Sequence, residues 1–392
     1  MAFIYWTLTA LAVIIDLWVI HALRRRGARC GMYLYGVFAL LTDVVTRGVP
    51  YITALGKWQS LIPVFLSYVF LLTASVKVLI AGGWLLDKRR GRGSKRWLTA
   101  SVVASVVFLG VMIAGTISPT RGICVKRVEL CFDNLPDGFD GERIGFFTDM
   151  HLGSLTAANK ILQQVVDSLN AAECLIVVNG GDLINIHNSE LKAERRRALS
   201  EINSPVYSVI GNHDLGYYRR DTLQYTVAQS TADFKAAVDS LGWRRLDNSS
   251  VWIYSPTGDS LRLTGVEFNR RAADDRHKRT VGGVNIDSLV RADIPEGVFS
   301  IVVSHIPQYW HSLCDTHAAD LTLAGHTHAM QCKVRIGECK WSPAALLYDE
   351  WGGLYHEGHK KLYISEGVGF AGIPIRLGTP PSITIITLRK CE

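Results

Sequence analysis

Cysteine is scarce in this sequence and scattered along it. Eight cysteines in 392 residues fall well short of a disulfide framework, and the absence of any CxxC pair excludes a zinc knuckle. Neither an internal repeat nor a low-complexity segment is present. No serine or cysteine stands in a nucleophile motif, so nothing argues for a covalent enzyme intermediate. The net charge of +7 is not spread over the globular part; it concentrates in RRRGAR at 24–29 and DKRRGRGSKR at 87–96. A nucleic-acid binder more usually carries its basic residues on the folded domain, so no nucleic-acid partner is expected. The first apolar run lacks both a preceding positive charge and a following small-residue cleavage site, which argues against a removable signal peptide.

Apolar residues make up 48% of the chain, and their distribution is uneven. Residues 3–23, 60–86 and 97–117 are each long and apolar enough to cross a bilayer. Residues 32–55 form a weaker segment, interrupted by Asp43, Arg47 and Pro50. With four spans, the two basic runs, of four and six Lys/Arg, lie on one side. Without the weak segment they fall on opposite sides. The positive-inside rule therefore favours four spans, with both termini outside the cytoplasm. The expected organisation is a multi-pass protein of the cell (inner) membrane. Residues 1–120 would form a bundle of four transmembrane helices and residues 121–392 a globular domain on the outer, periplasmic face. Asp16, Asp43 and Arg47 are costly in a bilayer; polar helix-to-helix contacts are the plainer reading, and a transport pathway is the alternative.

From residue 124 the pattern changes. ICVKRVELCF, ERIGFFTD, CLIVVNGGD and PVYSVIGNHD read as strands, with helices over 156–171, 189–201 and 231–241. LRLTGVEF, GVFSIVVSH, DLTLAGHTH, KLYISEGVG and SITIITLRK follow. Alternation first and strands later predict an α/β (α+β) domain of two packed sheets flanked by helices.

Five of these strands end alike: TDMH (148–151), GGD (180–182), GNHD (211–214), SH (304–305) and GHTH (325–328). Residues two apart on a strand point to one side, so Asp149 with His151, and His326 with His328, are expected to converge. Gly181, Gly211 and Gly325 remove side-chain bulk where backbones must crowd. Imidazole, carboxylate and amide oxygen without thiolate suit Zn, Mn or Fe better than Ca or a structural zinc. Asp149, His151, Asp182, Asn212, His305, His326 and His328 exceed what one ion needs. Two ions about 3.5–4 Å apart, sharing the Asp182 carboxylate, would use them all.

The ordered set D-x-H, G-D, G-N-H-D, H, G-H-x-H resembles that of the calcineurin-like metallophosphoesterases, over roughly residues 122–392. FDGERIGFFTDMHLG and YISEGVGFAGIPIRLGTPPSITIITL resemble segments of that family's membrane-associated bacterial branch. The resemblance implies a double β-sheet sandwich flanked by helices and holding two divalent ions (Mn, Zn or Fe). Asp149, His151, Asp182 and His328 would hold one ion; Asp182, Asn212, His305 and His326 would hold the other. His213 would protonate the leaving group or contact phosphate, oriented by Asp214. The implied reaction is hydrolysis of a phosphate ester, phosphodiester or pyrophosphate by a metal-bridging hydroxide. Three departures stand out: Thr148 where serine is commoner, Asn185 where many members have aspartate, and Ala329–Met330 where two glycines are usual. The last pair would line the region where a substrate lies, and an apolar Met330 fits a lipid-like ligand.

Plainer readings hold elsewhere. His187 reads as a loop-surface residue, His356 and His359 as solvent-exposed, and Cys174 as core. Cys332 and Cys339 flank a hairpin-like KVRIGE and would be bonded or free; Cys124 and Cys131, on one strand, could not bridge each other. The expected function is that of a membrane-anchored dimetal phosphoesterase. Its substrate would carry phosphate and be a lipid or envelope component, because an anchored enzyme meets an amphiphile in two dimensions. A catalytically silent metal-binding scaffold or signalling protein is the alternative, and the full ligand set speaks against it.

Overall fold

The computed structural model describes residues 2–25, 27, 29–43, 61–90, 95–155, 158–218, 226–270, 273, 297–315 and 319–391. The chain divides into two compact units, with the boundary between Ile117 and Ser118. Among the described residues, the first holds helices α1 (Ala2–Arg25), α2 (Arg29–Asp43), α3 (Leu61–Arg90) and α4 (Arg96–Ile117). Among the described residues, two stretches are long and apolar enough to cross a membrane. They are Tyr68–Arg89 and Arg96–Thr120, with mean hydropathy of 2.0 and 2.3. They fall on the expected 60–86 and 97–117 spans. Residues 32–43 of the weak segment belong to α2. Its remainder, with Arg47 and Pro50, lies outside the described residues, as do residues 91–94 of the second basic run.

Asp16 is buried, accepts a hydrogen bond from the Tyr35 hydroxyl (2.6 Å) and pairs with Lys77 Nζ (2.8 Å). The charge is therefore neutralised by contacts between α1, α2 and α3, the plainer of the two readings. Asp87 accepts the backbone N–H groups of Trp97 (3.2 Å) and Leu98 (2.9 Å) at the start of α4, meeting donors that no preceding turn can satisfy.

The second unit opens with β1 (Cys124–Phe132), β2 (Arg143–Phe147), α5 (Ala158–Ala171), β3 (Ile176–Asn179), α6 (Ala193–Ser200) and β4 (Val206–Ser208). It continues with α7 (Val227–Asp239), β5 (Arg244–Arg245), β6 (Ser249–Tyr254), β7 (Ser260–Val266), β8 (Ser300–Ser304), α8 (Trp310–Asp315) and β9 (Leu321–Ala324). A hairpin of β10 (Val334–Ile336) and β11 (Cys339–Trp341) precedes β12 (Gly353–Glu357), β13 (Lys360–Ile364) and β14 (Ser382–Lys390). Two six-stranded sheets result, in the orders β1-β14-β2-β3-β4-β5 and β12-β13-β9-β8-β7-β6.

Period-two patterning explains how the sheets meet. Ile144 and Phe146, Ile176 and Val178, Leu261 and Leu263, Ile301 and Val303, and Leu321 and Leu323 all enter one buried cluster. Side chains two apart share a face, so this cluster is the filling between the sheets. The opposite face of the first sheet is covered by α5, whose Ile161, Val165, Val166 and Leu169 are buried. Gly145 makes room there, since a Cβ on it would lie 2.7 Å from the Leu169 side chain. On the second sheet Val302 and Val266 pack with Ile306, Tyr309 and Leu313. Each buried aliphatic or aromatic side chain of this kind stabilises the fold by about 1.5–3 kcal/mol.

The pairing left open for Cys332 and Cys339 is resolved. Cys332 and Cys339 are free, and the bond joins Cys131 to Cys391, 260 residues apart, with their Cα atoms 5.2 Å apart. The hairpin register pairs Val334 with Trp341 and Ile336 with Cys339. Cys339 thus sits beside the turn, and Cys332 lies four residues before its partner Ile336, ahead of the start of β10. Cys131 and Cys391 instead lie at the ends of parallel neighbours, where Phe132 pairs with Lys390. Cys174 is buried, and His356 and His359 are exposed, as the sequence indicates.

Candidate metal centre

Parallel strands bring their carboxyl ends to one edge. In the first sheet β2, β3 and β4 run parallel, and in the second β8 and β9 do. The five motif loops leave from these five ends, so Thr148–His151, Gly180–Asp182, Gly211–Asp214, His305 and Gly325–His328 meet across the top of the sandwich. Asp149, His151, Asp182, Asn212, His305 and His328 are all buried, and His326 is half-buried.

The residues converge for a different reason than strand alternation. Asp149 (φ 54°), His151 (41°), Asp182 (55°), His326 (69°) and His328 (50°) all lie in the left-handed region. Non-glycine residues held there cost about 1–3 kcal/mol each unless the surroundings fix them. The surroundings do so: Asp149 N–H donates to Gly181 O (2.9 Å) and His151 N–H to Asp182 O (3.1 Å). His326 N–H meets both Asp149 carboxylate oxygens (3.1 and 3.2 Å). Two glycines permit the approach. A Cβ on Gly211 would stand 2.1 Å from Asp182 Oδ1, and one on Gly325 would stand 2.4 Å from Asp149 Oδ2.

Two donor groups face each other. Asp149, His151 and His328 offer ligand atoms within 4.8 Å of one another, and so do Asp182, His305 and His326. Within the first, His151 Nε2 lies 3.0 Å from His328 Nε2, which is 3.2 Å from Asp149 Oδ1. Within the second, His305 Nε2 lies 3.2 Å from Asp182 Oδ2, 3.1 Å from Asn212 Oδ1 and 3.3 Å from His326 Nδ1. The same Asp182 Oδ2 is 3.6 Å from His151 Nε2, so one carboxylate oxygen faces both groups.

The donor chemistry fits divalent cations. His305 Nδ1–H donates to Gly180 O (2.8 Å), which leaves Nε2 bare toward three other acceptor atoms. Buried lone pairs at about 3 Å repel unless a proton or a metal ion sits among them. The protonation pattern of the metal-free chain reflects this conflict. Burial would lower His305, but Asp182 beside it raises it to about 9. Burial and the neighbouring His305 push His326 down to about 3. Burial opposes ionisation of Asp182, yet His305 and His213 hold it well below the usual carboxylate range.

His213 stands at the rim, its Nδ1 2.5 Å from Asn185 O, its ring edge-on to His151 (centroids 4.6 Å apart) and stacked on Tyr218 (4.2 Å). This corrects the orienting role expected of Asp214. Asp214 accepts the backbone N–H groups of Asp182 (2.8 Å), Ile184 (3.1 Å) and Gly211 (3.0 Å) instead. Its carboxylate therefore shapes the two loops that carry Asp182 and Asn212. Burial, with Asp182 nearby, pushes it up to about 8.

Other residues support the ligands. Thr148 Oγ1 donates to Asp149 Oδ2 (2.9 Å), so the serine-to-threonine departure keeps its hydroxyl. Asn185 acts through its main-chain carbonyl. Arg376 is fully buried, donates to Gly369 O (2.8 Å) and Thr379 O (2.9 Å), and places Nη2 3.3 Å from His328 Nδ1. Its signal was a lone cation in the glycine-rich, apolar FAGIPIRLGTP. His187 is half-buried and precedes a short 3-10 turn at Asn188–Glu190. Ala329 and Met330 adopt φ of 50° and 44°, the conformation that favours glycine. Ala329 is held within a small cluster of Ala344, Tyr348 and Trp351, with Met330 against it.

A two-sheet α/β domain whose strand ends gather facing sets of Asp, Asn and His is of the metallophosphoesterase class. Residues 142–330 match the family described as calcineurin-like phosphoesterase. It is 27% identical over 298 residues to a zebrafish transmembrane protein with metallophosphoesterase domain, covering 74% of this chain and 63% of that protein. It is 25% identical over 262 residues to the uncharacterized metallophosphoesterase YkuE of Bacillus subtilis, covering 65% of this chain and 82% of the relative. A Helicobacter pylori metallophosphoesterase is 29% identical over 269 residues, 67% of this chain and 63% of its own. The chain thus spans less than two thirds of the zebrafish and Helicobacter relatives.

Proposed function

We propose that this chain is a membrane-anchored phosphoesterase that uses two divalent ions to hydrolyse a phosphate ester, phosphodiester or pyrophosphate. The observation that carries the reading is Asp182 Oδ2, which faces His151 Nε2 at 3.6 Å and His305 Nε2 at 3.2 Å. Asp149, His151, Asp182 and His328 would hold one ion, and Asp182, Asn212, His305 and His326 the other. Such ions, Mn, Zn or Fe by donor type, supply a water of lowered pKa and charge stabilisation at phosphorus. His213, exposed enough at the rim to meet a ligand, donates a proton or hydrogen bond to the leaving-group side. Asp214 keeps the Asp182 and Asn212 loops in place.

Residues 121–392 form the catalytic domain and residues 1–120 the anchor, with four spans and the domain on the outer face. The charge distribution supports that side, and so does the Cys131–Cys391 bond, since disulfides persist in oxidising compartments. An apolar-ended substrate, a phospholipid or envelope phosphodiester, is favoured by the rings around the centre. Tyr218 stacks on His213, Phe268 lies 6.3 and 6.4 Å from His305 and His326, and Tyr348 lies 6.2 Å from His326. Purified full-length protein should hydrolyse a generic phosphodiester with Mn²⁺, and prefer a phospholipid diester in mixed micelles. A preference for the water-soluble ester would remove the lipid part of this reading.

A further inference from the structure

The loop that carries His326 and His328 runs directly into the β10–β11 hairpin, and the hairpin returns to it. Cys332 N–H donates to Ala329 O (3.1 Å) where the chain leaves, and Ser342 Oγ donates to the same oxygen (2.6 Å) where it comes back. The turn is tight, with Gly337 at φ 61° supplying its first central residue. Register places Val334 opposite Trp341 and Ile336 opposite Cys339. Directly opposed residues share a face, so these four side chains stand on one side of the ribbon, with Arg335 and Lys340 on the other.

That first face is apolar and open. Val334 is 48% exposed, Ile336 76% and Trp341 52%. None of them belongs to a hydrophobic core cluster among the described residues. The surrounding charge is mostly positive: Lys333, Arg335 and Lys340 against the single acid Glu338. Lys333 also shares one carboxylate, Glu366, with Lys126, so the second lysine of that group is left without its own acid. An aliphatic strip with a tryptophan, bordered by cations, matches the chemistry of an anionic lipid headgroup boundary. The rings and aliphatic chains displace interfacial water while the cations meet phosphate. The chain also carries two stretches apolar enough to cross a membrane, so a bilayer is within its reach.

We propose that the β10–β11 hairpin docks on an anionic bilayer surface, seating Val334, Ile336 and Trp341 among the headgroups and lipid chains. Because both ends of the hairpin are bonded to Ala329, docking holds the His326–His328 loop at the lipid surface. A lipid phosphate then reaches the centre without leaving the bilayer. This inference rests on the reading that the protein is membrane-anchored, and it does not require the metal centre to be active.

The test uses full-length protein in which Cys30, Cys124 and Cys332 are changed to serine. A polarity-sensitive fluorophore is attached to Cys339, which is exposed, while Cys174 and Cys314 are buried. In phosphatidylcholine–phosphatidylglycerol vesicles containing brominated lipid, the label is expected to be blue-shifted and quenched by the bromines. Quenching should weaken without phosphatidylglycerol and disappear in the double variant Ile336→Asp, Arg335→Glu. A label quenched by aqueous iodide and not by bromolipid would overturn the proposal. So would a blue-shifted label insensitive to bromolipid, which would mean that a second copy or another segment of the chain covers the face. Hydrolysis of a water-soluble phosphodiester in the same vesicles separates the two readings. Hydrolysis with an unquenched label overturns docking alone. A quenched label without hydrolysis supports docking and overturns the enzymatic reading.

Discussion

His305 has one ring nitrogen committed and the other facing Asp182 Oδ2, Asn212 Oδ1 and His326 Nδ1. Nδ1–H donates to Gly180 O, so the tautomer is fixed by a main-chain carbonyl and Nε2 is available to a cation, as ligating histidines commonly are arranged. His213 is placed differently, with its ring at the rim and its Nδ1 held by Asn185 O. His213→Ala should therefore leave metal content unchanged and lower kcat by about 10²–10⁴-fold, the usual worth of a positioned acid or base. Metal analysis beside steady-state kinetics checks both halves. Gly211 tests the opposite case, in which position alone matters. With 2.1 Å between a new Cβ and Asp182 Oδ1, Gly211→Ala should displace the shared carboxylate and lose metal, although no ligand has been removed. At this scale the sequence was most informative, because ligand types are side-chain identities and their order along the chain survives in the motifs. The left-handed φ values at Asp149, His151, Asp182, His326 and His328 were not legible, nor was the true work of Asp214. Both depend on hydrogen bonds between loops far apart in sequence.

Elements carry those loops, and their pairing decides whether the residues meet. Strands β2, β3 and β4 of one sheet and β8 and β9 of the other deliver them to the same edge, which alternation and apolar runs made readable in advance. The segment after β13 was less so. Glu366, just past β13, accepts both Lys126 of β1 and Lys333 at the foot of the hairpin, and nothing local in YISEGVG marks it as a buried clasp. Burial opposes its ionisation, but the two lysines outweigh burial and hold its pKa below the ordinary 4.5. A lowered carboxylate pKa stabilises the fold fully above the unfolded value, and the contribution is lost as pH falls through the folded value. Thermal melting of wild type and Glu366→Gln should therefore differ at pH 7, with wild type higher, and the gap should close below about pH 4.5. A gap that persists or widens in acid would mean that the clasp is not ionic.

At the scale of the molecule, the apolar runs at 60–86 and 97–117 and the two-sheet domain were legible in the sequence, and the disulfide was not. Spacing along the chain favoured attention to Cys332 and Cys339. The bond that forms, Cys131 to Cys391, depends on β14 returning as a parallel neighbour of β1 across 260 residues, and no local pattern records that pairing. It also offers a test of sidedness. If the domain faces an oxidising compartment, unfolding without reductant should expose six reactive thiols, those of Cys30, Cys124, Cys174, Cys314, Cys332 and Cys339, and reduction should raise the number to eight. Eight thiols before reduction would place the domain on the reducing side and leave the charge-based orientation without support.

The central claim is that Asp182 joins two metal-binding groups into one hydrolytic centre, and the most direct measurement is metal content with hydrolysis on the same preparation. Purified full-length wild type should hold two divalent ions per chain and hydrolyse a phosphodiester with Mn²⁺. Asp182→Asn should lose metal and fall in rate by on the order of 10³-fold. A wild type that binds two ions yet hydrolyses nothing, or an Asp182→Asn variant that keeps both metal and rate, would contradict the account.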